Sequence, residues 1–317
     1  MDESDKTLAP RFQKFGIEST QVSRRAYREM LLTTPGIEEY LSGVILYDET
    51  IRDAMSDGTP FAHYVFTRGI LAGIKVDEGL VHDAQFGGEV TKGLDGLKKR
   101  LTEYSELGAR FTKWRTTVTV GTPPGAPHVR ENASRLAAYA EEVIQAGMVP
   151  IVEPEVLMQG MHSAGDAEET LTETLSTLVG ALHARDIDLK NVIVKTAMAV
   201  SGDSAPDRAL PHEVAERTVR ALVASVPEEM GGIVFLSGGQ GPQEATANLN
   251  AIARLEPLPW EITFSFSRAL QGPALEVWAG KSENAGEAQS IFLERLSLAR
   301  AADAAGYSAQ EEESALR

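Results

Sequence analysis

The sequence predicts an α/β fold in which a parallel sheet is covered by helices, and three observations point to it. Seven short runs rich in Val, Ile and Phe alternate with stretches of helical periodicity, the order expected when helical crossovers join parallel strands. The longest apolar stretches, such as residues 231–236, are strand-sized. No internal repeat, low-complexity tract or linker divides the 317 residues, and α/β domains of about 250 residues or more are common, so one domain is favoured over two.

The first run spans residues 43–47, the second 73–77 and the third 111–120. A helix is expected over 131–145, stopped by Gly147, before the fourth run at 149–153. Next, Leu171, Leu175, Leu178, Val179 and Leu182 recur at helical spacing, with Asp166 and Glu169 suited to the N-cap and third position of a capping box. The fifth run, 191–195, leads to a helix over 211–226, and the sixth, 232–236, to one over 242–255. Pro211 and Pro242 are placed to open those helices. The seventh run, 261–265, precedes a helix over 285–305. The organisation read is one domain over residues 1–309 and a short acidic C-terminal tail over 310–317, which is expected to fray.

Acidic residues outnumber basic ones by 46 to 30, a net charge of −16. That field repels the phosphates of nucleic acid and the anionic face of a membrane, so neither is an expected partner. The absence of Cys excludes disulfides, thiolate ligands and a thiol nucleophile. No stretch approaches the roughly 20 apolar residues of a membrane span, and residues 1–6 contain no signal-peptide core. The expected location is cytoplasmic.

Most of the runs finish on an ionisable or hydroxyl residue: Lys75 and Asp77, Glu153 and Glu155, Lys195, Ser237, then Ser265 with Arg268. Buried parallel strands are nearly continuous in apolar residues, so charges at their carboxyl ends cost the core and mark a pocket. In a closed barrel that end holds the active site. Residues i and i+2 of a strand point to one side, which directs Lys113 with Arg115, and Glu153 with Glu155, into a shared space. Taken singly each reads more readily as a solvated strand end, and Lys75 with Asp77 as a rim ion pair worth well under about 1 kcal/mol; it is the constellation that points to a site. Lys195 stands apart, because Val192-Ile193-Val194 and Thr196-Ala197-Met198 flank it and imply a desolvated ammonium. A free lysine, with a pKa of about 10.4, is neutral about once in 2,500 molecules at pH 7, and lowering that pKa by about three units costs roughly 4 kcal/mol. Burial beside a second ammonium, such as that of Lys113, supplies such a shift and yields an amine that attacks a ketone or aldehyde to form a Schiff base.

Leu236-Ser237-Gly238-Gly239-Gln240, followed by Pro242, has the composition of an anion cradle, although a Gly-Gly pair after a strand is also an ordinary tight turn. Arg268 would lie beside it if the sheet closes on itself, and Lys75 with Arg115 could bind a second anion. Two phosphate sites flanking an amine suggest a doubly phosphorylated keto compound. No metal or other cofactor is expected: none of the six His residues has the helical spacing of a zinc site, and no nucleotide-binding glycine loop occurs.

The segments Gly73-Ile74-Lys75-Val76-Asp77, Phe111-Thr112-Lys113-Trp114-Arg115, Pro150-Ile151-Val152-Glu153-Pro154-Glu155, Phe235-Leu236-Ser237-Gly238-Gly239-Gln240 and Phe264-Ser265-Phe266-Ser267-Arg268-Ala269-Leu270, with Asp2-Glu3-Ser4, resemble in order and spacing the signatures of the class I, Schiff-base-forming fructose-1,6-bisphosphate aldolases. The resemblance runs to about Tyr307. It implies a (β/α)8 TIM barrel that reversibly cleaves fructose 1,6-bisphosphate to dihydroxyacetone phosphate and glyceraldehyde 3-phosphate, in glycolysis, gluconeogenesis or carbon fixation. By the same resemblance Lys195 is the Schiff-base lysine, Glu153 its acid/base, Lys113 the neighbouring cation and Glu155 a supporting carboxylate. Asp2 matches the aspartate that assists removal of the C4 hydroxyl proton. Ser237, Gly238, Ser265 and Arg268 match the C1-phosphate site, and Ser4, Lys75 and Arg115 the other end of the substrate. A homo-oligomer, commonly a tetramer, is implied as well.

The sequence departs from that pattern in three places. Ser267 stands where many members have Gly, and the chain lacks the terminal Tyr with which the eukaryotic branch protonates the enamine, since Tyr307 matches an internal tyrosine. Family members also place a helix and the first barrel strand before Asp-Glu-Ser, so the expectation is a barrel without its first strand, numbered from an internal Met, with unpaired edges beside the gap. Two other readings are a catalytically impaired, aldolase-like scaffold that binds sugar phosphates, and a Schiff-base barrel of the transaldolase or deoxyribose-phosphate aldolase kind. The two cationic clusters argue against the latter.

Overall fold

The computed structural model of the chain describes residues 1–310 and Glu312. Before any strand come two helices that the strand pattern does not mark. Ser4 opens α1 (Asp5–Gln13), its hydroxyl accepting the Thr7 N–H at 3.3 Å, and a Thr20–Ser23 capping box opens α2 (Gln21–Leu32). Such caps satisfy backbone donors that a helix leaves unpaired at its start. The buried faces carry Leu8 and Phe12 on α1 and Tyr27, Met30 and Leu31 on α2. The rings of Phe12, Tyr27 and Trp278 pack with centroids 5.4 to 6.0 Å apart, tying both helices to the C-terminal part of the fold.

The chain continues through β1 (Gly43–Leu46), α3 (Asp48–Arg52), α4 (Phe61–Thr67), β2 (Leu71–Lys75), β3 (Leu80–Asp83), β4 (Gly88–Thr91), α5 (Leu97–Glu106), β5 (Phe111–Thr119) and α6 (Pro127–Gln145). It then forms β6 (Val149–Leu157), α7 (Ala164–His183), β7 (Ile193–Thr196), α8 (Pro211–Ser225), β8 (Gly232–Phe235), α9 (Pro242–Ala253), β9 (Ile262–Phe264), α10 (Arg268–Trp278) and α11 (Ala285–Asp303). Seven strands make one parallel sheet in the order β1-β2-β5-β6-β7-β8-β9, curled into the wall of an α/β barrel with the helices outside. These are the seven apolar runs of the sequence. Among the described residues β1 and β9 end the order, and a cavity of about 680 Å³, lined by Gly43, Val44, Phe264 and Phe266 among others, lies between them.

The half-buried Phe111 begins β5 and packs against β2. Its ring lies where a side chain on Gly73 would be: a Cβ there would sit 2.2 Å from Phe111 Cε2. Farther along β5, Trp114 is fully buried and packs on Tyr139 of α6 at 5.4 Å between centroids, while the Tyr139 hydroxyl and Thr112 Oγ1 share a 2.6 Å hydrogen bond.

Three sequence expectations are corrected. The cap of helix α7 lies three residues before the predicted one, at Ser163: Ser163 Oγ accepts the Asp166 N–H at 3.2 Å and Asp166 Oδ2 accepts the Ser163 N–H at 2.8 Å. Asp166 is therefore the third helical residue rather than the cap, because this reciprocal pair satisfies two backbone donors at once. Helix α6 starts at Pro127 rather than 131, with the proline in the first turn where a missing N–H costs nothing. In the tail, Glu312 is buried rather than frayed, paired with Arg295 and accepting from the Tyr307 hydroxyl. Residues 311 and 313–317 of the predicted tail lie outside the described residues. The antiparallel β3–β4 hairpin was not anticipated; Asn132 holds it by accepting from Thr91 N–H at 3.0 Å and donating to Glu89 O at 2.9 Å.

Candidate active site

Strand register assembles the site. Lys75 of β2 is level with Lys113 of β5, and Arg115 and Thr117 of β5 are level with Glu153 and Glu155 of β6. Val152 of β6 is level with Val194 of β7, which brings Glu153 beside Lys195 one residue later. Parallel strands ending together thus deliver their charged residues to one opening. The resulting cleft encloses about 970 Å³ of empty space and is lined by all twelve residues singled out in the sequence: Asp2, Ser4, Lys75, Lys113, Arg115, Glu153, Glu155, Lys195, Ser237, Gly238, Ser265 and Arg268.

At its floor, Lys195 Nζ lies 3.2 Å from Glu153 Oε1 and Lys113 Nζ lies 2.9 Å from Glu153 Oε2; Lys113 also forms an ion pair with Asp2. All three strand residues are at least nine-tenths buried. Burial alone would push the carboxylates up, but the Lys113 and Lys195 ammonium groups outweigh it and hold Asp2 and Glu153 below their usual range. Burial likewise disfavours the Lys113 cation, yet Asp2, Glu153 and Asp77 prevail and its pKa is raised. Lys113 is therefore a fixed positive charge. Although paired with Lys113, Glu153 Oε2 accepts no aligned hydrogen bond.

One wall is held by Asp77. Lys75 Nζ donates to its Oδ1 at 2.7 Å and to its backbone carbonyl at 2.8 Å, while Oδ2 accepts the Arg115 N–H at 3.2 Å. The Arg115 guanidinium pairs with Glu155. Across the cleft, Gly238 and Gly239 adopt φ +54° and +105°, and a Cβ on Gly238 would meet Leu236 Cδ1 at 2.7 Å. This is a turn that glycine alone makes without strain. Arg268 opens α10 beside it, with Nη2 3.7 Å from the position of a Gly239 Cβ. Among the described residues Arg268 has no ion pair, and burial together with the nearby Arg11 lowers its pKa.

The sequence reading missed two lining residues, Thr7 and Arg11, and gave no site role to the side chains of two more that it quoted, Glu3 and Ser267. Thr7 and Arg11 follow Ser4 by three and seven residues, the spacing of one helical face, so an α1 helix recognised in the sequence would have aimed all three together. Glu3 and Ser267 carry no such local signal.

The geometry agrees with what comparison with known proteins shows. The model of the family described as fructose-bisphosphate aldolase class-I matches residues 1–317. A probable fructose-bisphosphate aldolase class 1 of Xanthomonas axonopodis pv. citri is 47% identical over 298 residues, covering 93% of this chain and 89% of that protein. A cytosolic fructose-bisphosphate aldolase of Arabidopsis thaliana is 44% identical over 297 residues, 93% of this chain and 83% of its own length. A solved structure of the Plasmodium falciparum fructose-bisphosphate aldolase, in complex with TRAP and a small-molecule inhibitor, superposes with a TM-score of 0.94 at 38% identity, covering 97% of this chain and 90% of that one. A parallel barrel with a lysine-carboxylate cluster at the carboxyl ends of its strands and a match along its full length place the chain in the class I fructose-bisphosphate aldolase family.

Proposed function

We propose that Lys195 is the nucleophile of the family's reversible cleavage of fructose 1,6-bisphosphate to dihydroxyacetone phosphate and glyceraldehyde 3-phosphate. The observation that carries this reading is the contact of the buried Lys195 Nζ with Glu153, at 3.2 Å, inside a cleft ringed by three lysines and three arginines. In the neutral form, the amine adds to the substrate's C2 carbonyl. Glu153 exchanges protons with the carbinolamine oxygen as water leaves and the C=N bond forms. The resulting iminium draws the C3–C4 bonding electrons toward nitrogen while the Asp2 carboxylate takes the C4 hydroxyl proton. Glyceraldehyde 3-phosphate departs, leaving an enamine that is protonated at C3 and hydrolysed to release dihydroxyacetone phosphate and the free amine.

In this scheme Lys113 is the neighbouring cation that donates hydrogen bonds to the reacting oxygens. Glu155 supports the electrostatics by pairing with Arg115. Ser237, Gly238, Ser265 and Arg268 receive the C1 phosphate. Ser4, Lys75 and Arg115 receive the C6 phosphate. Borohydride reduction with dihydroxyacetone phosphate, read by peptide mass spectrometry, tests the scheme: the reduced adduct belongs on Lys195, and its appearance elsewhere would overturn the assignment.

Residues 1–309 act in this reading as one catalytic domain, in the cytoplasm, and the homo-oligomer implied by the family resemblance, a tetramer, is its expected state. No helix among the described residues is long and apolar enough to cross a membrane. Light scattering at micromolar concentration tests the oligomer.

A further inference from the structure

We propose that Glu3 is a positioning residue that links the C1-phosphate end of the cleft to Asp2, so that the phosphate site and the cleavage carboxylate are held as one unit. The inference rests on the roles proposed above for Asp2 and Arg268. Glu3 lies between Asp2 and Ser4, and its side chain is 6% exposed. Its Oε1 accepts from Arg11 Nη1 at 2.8 Å and from Ser267 Oγ, and its backbone carbonyl accepts from Arg28 Nη2 at 2.9 Å. Arg28 is itself buried and paired with Glu49 at 2.7 Å.

Residue 3 is thus pinned by α1, by α2 and by the loop between β9 and α10. Each of its chain neighbours matters for a different step. One peptide before it, Asp2 is paired with Lys113. One peptide after Ser267 comes Arg268, unpaired among the described residues and facing Arg11 closely enough for the two cations to disfavour each other. A phosphate dianion drawn between Arg11 and Arg268 would relieve that repulsion, and it would act on Arg11, which holds Glu3, and on Arg268, the chain neighbour of Ser267, which also holds it. Hydrogen bonds from a charged partner to a buried carboxylate are among the stronger ones and fix the segment. Glu3 touches none of the reacting atoms in the scheme and acts only through where it holds Asp2.

The test compares Ser267→Ala, Ser267→Thr and Glu3→Gln with Asp2→Asn in two assays. Borohydride trapping of dihydroxyacetone phosphate requires the phosphate site and Lys195 but no C3–C4 cleavage. Turnover of fructose 1,6-bisphosphate requires Asp2 as well. In Ser267→Ala and Glu3→Gln the trapped fraction at saturation should remain within about twofold of the parent while kcat for cleavage falls about tenfold, the scale of a modest misplacement of a catalytic group. Ser267→Thr, which keeps the hydroxyl, should recover most of the kcat. Equal losses in both assays for Ser267→Ala, or no loss in either, would overturn the link, and because Ser267→Ala removes a single oxygen it remains decisive if Glu3→Gln fails to fold. Normal cleavage by Asp2→Asn would instead overturn the role given to Asp2, and the link with it. Slow Asp2→Asn beside a fully active Ser267→Ala would sink the link alone.

Discussion

Lys113 Nζ lies 2.9 Å from Glu153 Oε2 at the floor of the cleft, and the same ammonium also pairs with Asp2. One cation therefore faces two carboxylates, the buried Glu153 and the half-buried Asp2, and a second ammonium, on Lys195, lies against the other oxygen of Glu153.

This arrangement sets a pH dependence of stability. Asp2 and Glu153 have folded pKa values below their ordinary ones, so the stability they contribute is complete above an unfolded value of about 4 and is lost as pH falls through the depressed folded values. Lys113, shifted upward, contributes stability that is complete below about 10.4 and lost as pH rises through its folded value. In Lys113→Met the carboxylates keep their burial and lose their main counter-charge, a class of change that costs about 3–5 kcal/mol. The Tm deficit of this variant should be largest near neutral pH and shrink as the pH is lowered toward 4, because protonation removes the uncompensated charge. A deficit independent of pH between 4 and 8 would show that packing, not charge, is what Lys113 supplies.

Lys195→Met should keep the fold, since the methylene stem is replaced by a chain of similar volume and Glu153 retains Lys113. Borohydride trapping should disappear and cleavage should fall by about 1,000-fold or more, the scale seen when a covalent nucleophile is removed. The parent enzyme should also keep its activity after treatment with EDTA, as the scheme uses no metal. Residual imine in Lys195→Met, or inactivation by the chelator, would contradict the scheme.

Much of this was readable in the chain because strands buried on both faces are written as apolar runs, and a charge at the end of such a run has few structural uses. Lys75, Glu153 and Lys195 are of that kind, whereas Lys113 lies inside its run and is marked by sharing a side of the strand with Arg115. The i, i+2 pairing of Lys75 with Asp77 was also visible, although its partner across the sheet, the Arg115 N–H, was not. Helices α1 and α2 escaped because their apolar positions are few and their sequences polar, so tertiary packing on Trp278 rather than local pattern holds them. Arg11 went unseen with its helix. The Glu3–Ser267 contact joins residues 264 positions apart, and no local rule reaches that far.

The two ends of the cleft should separate kinetically. Arg268→Ala should raise KM for fructose 1,6-bisphosphate by about tenfold or more and lower imine trapping, because a desolvated guanidinium lacking an ion pair among the described residues is available for the C1 phosphate. Lys75→Ala should raise KM for the bisphosphate about tenfold while leaving KM for fructose 1-phosphate within about twofold, since that substrate has no C6 phosphate to lose contact with. Equal effects of Lys75→Ala on both substrates would move Lys75 out of the C6-phosphate site.

A last prediction concerns the close approach of Phe111 of β5 to Gly73 of β2. Gly73 lies against the Phe111 ring so closely that an added Cβ would come within 2.2 to 2.6 Å of three ring carbons. An aromatic ring packed among strands cannot retreat by more than an ångström without opening space elsewhere, and overpacking of this kind costs about 1–3 kcal/mol. Gly73 does not need its conformational freedom here, because its φ lies outside the left-handed region. The cost is therefore steric and should be reversible by shrinking the neighbour. Gly73→Ala should lower Tm by several degrees, Phe111→Leu alone should also destabilise by leaving a cavity, and the double variant should be more stable than the sum of the two losses predicts. Thermal unfolding of the three variants measures the coupling. Strict additivity would mean that Gly73 is required for its backbone rather than for the room it gives Phe111.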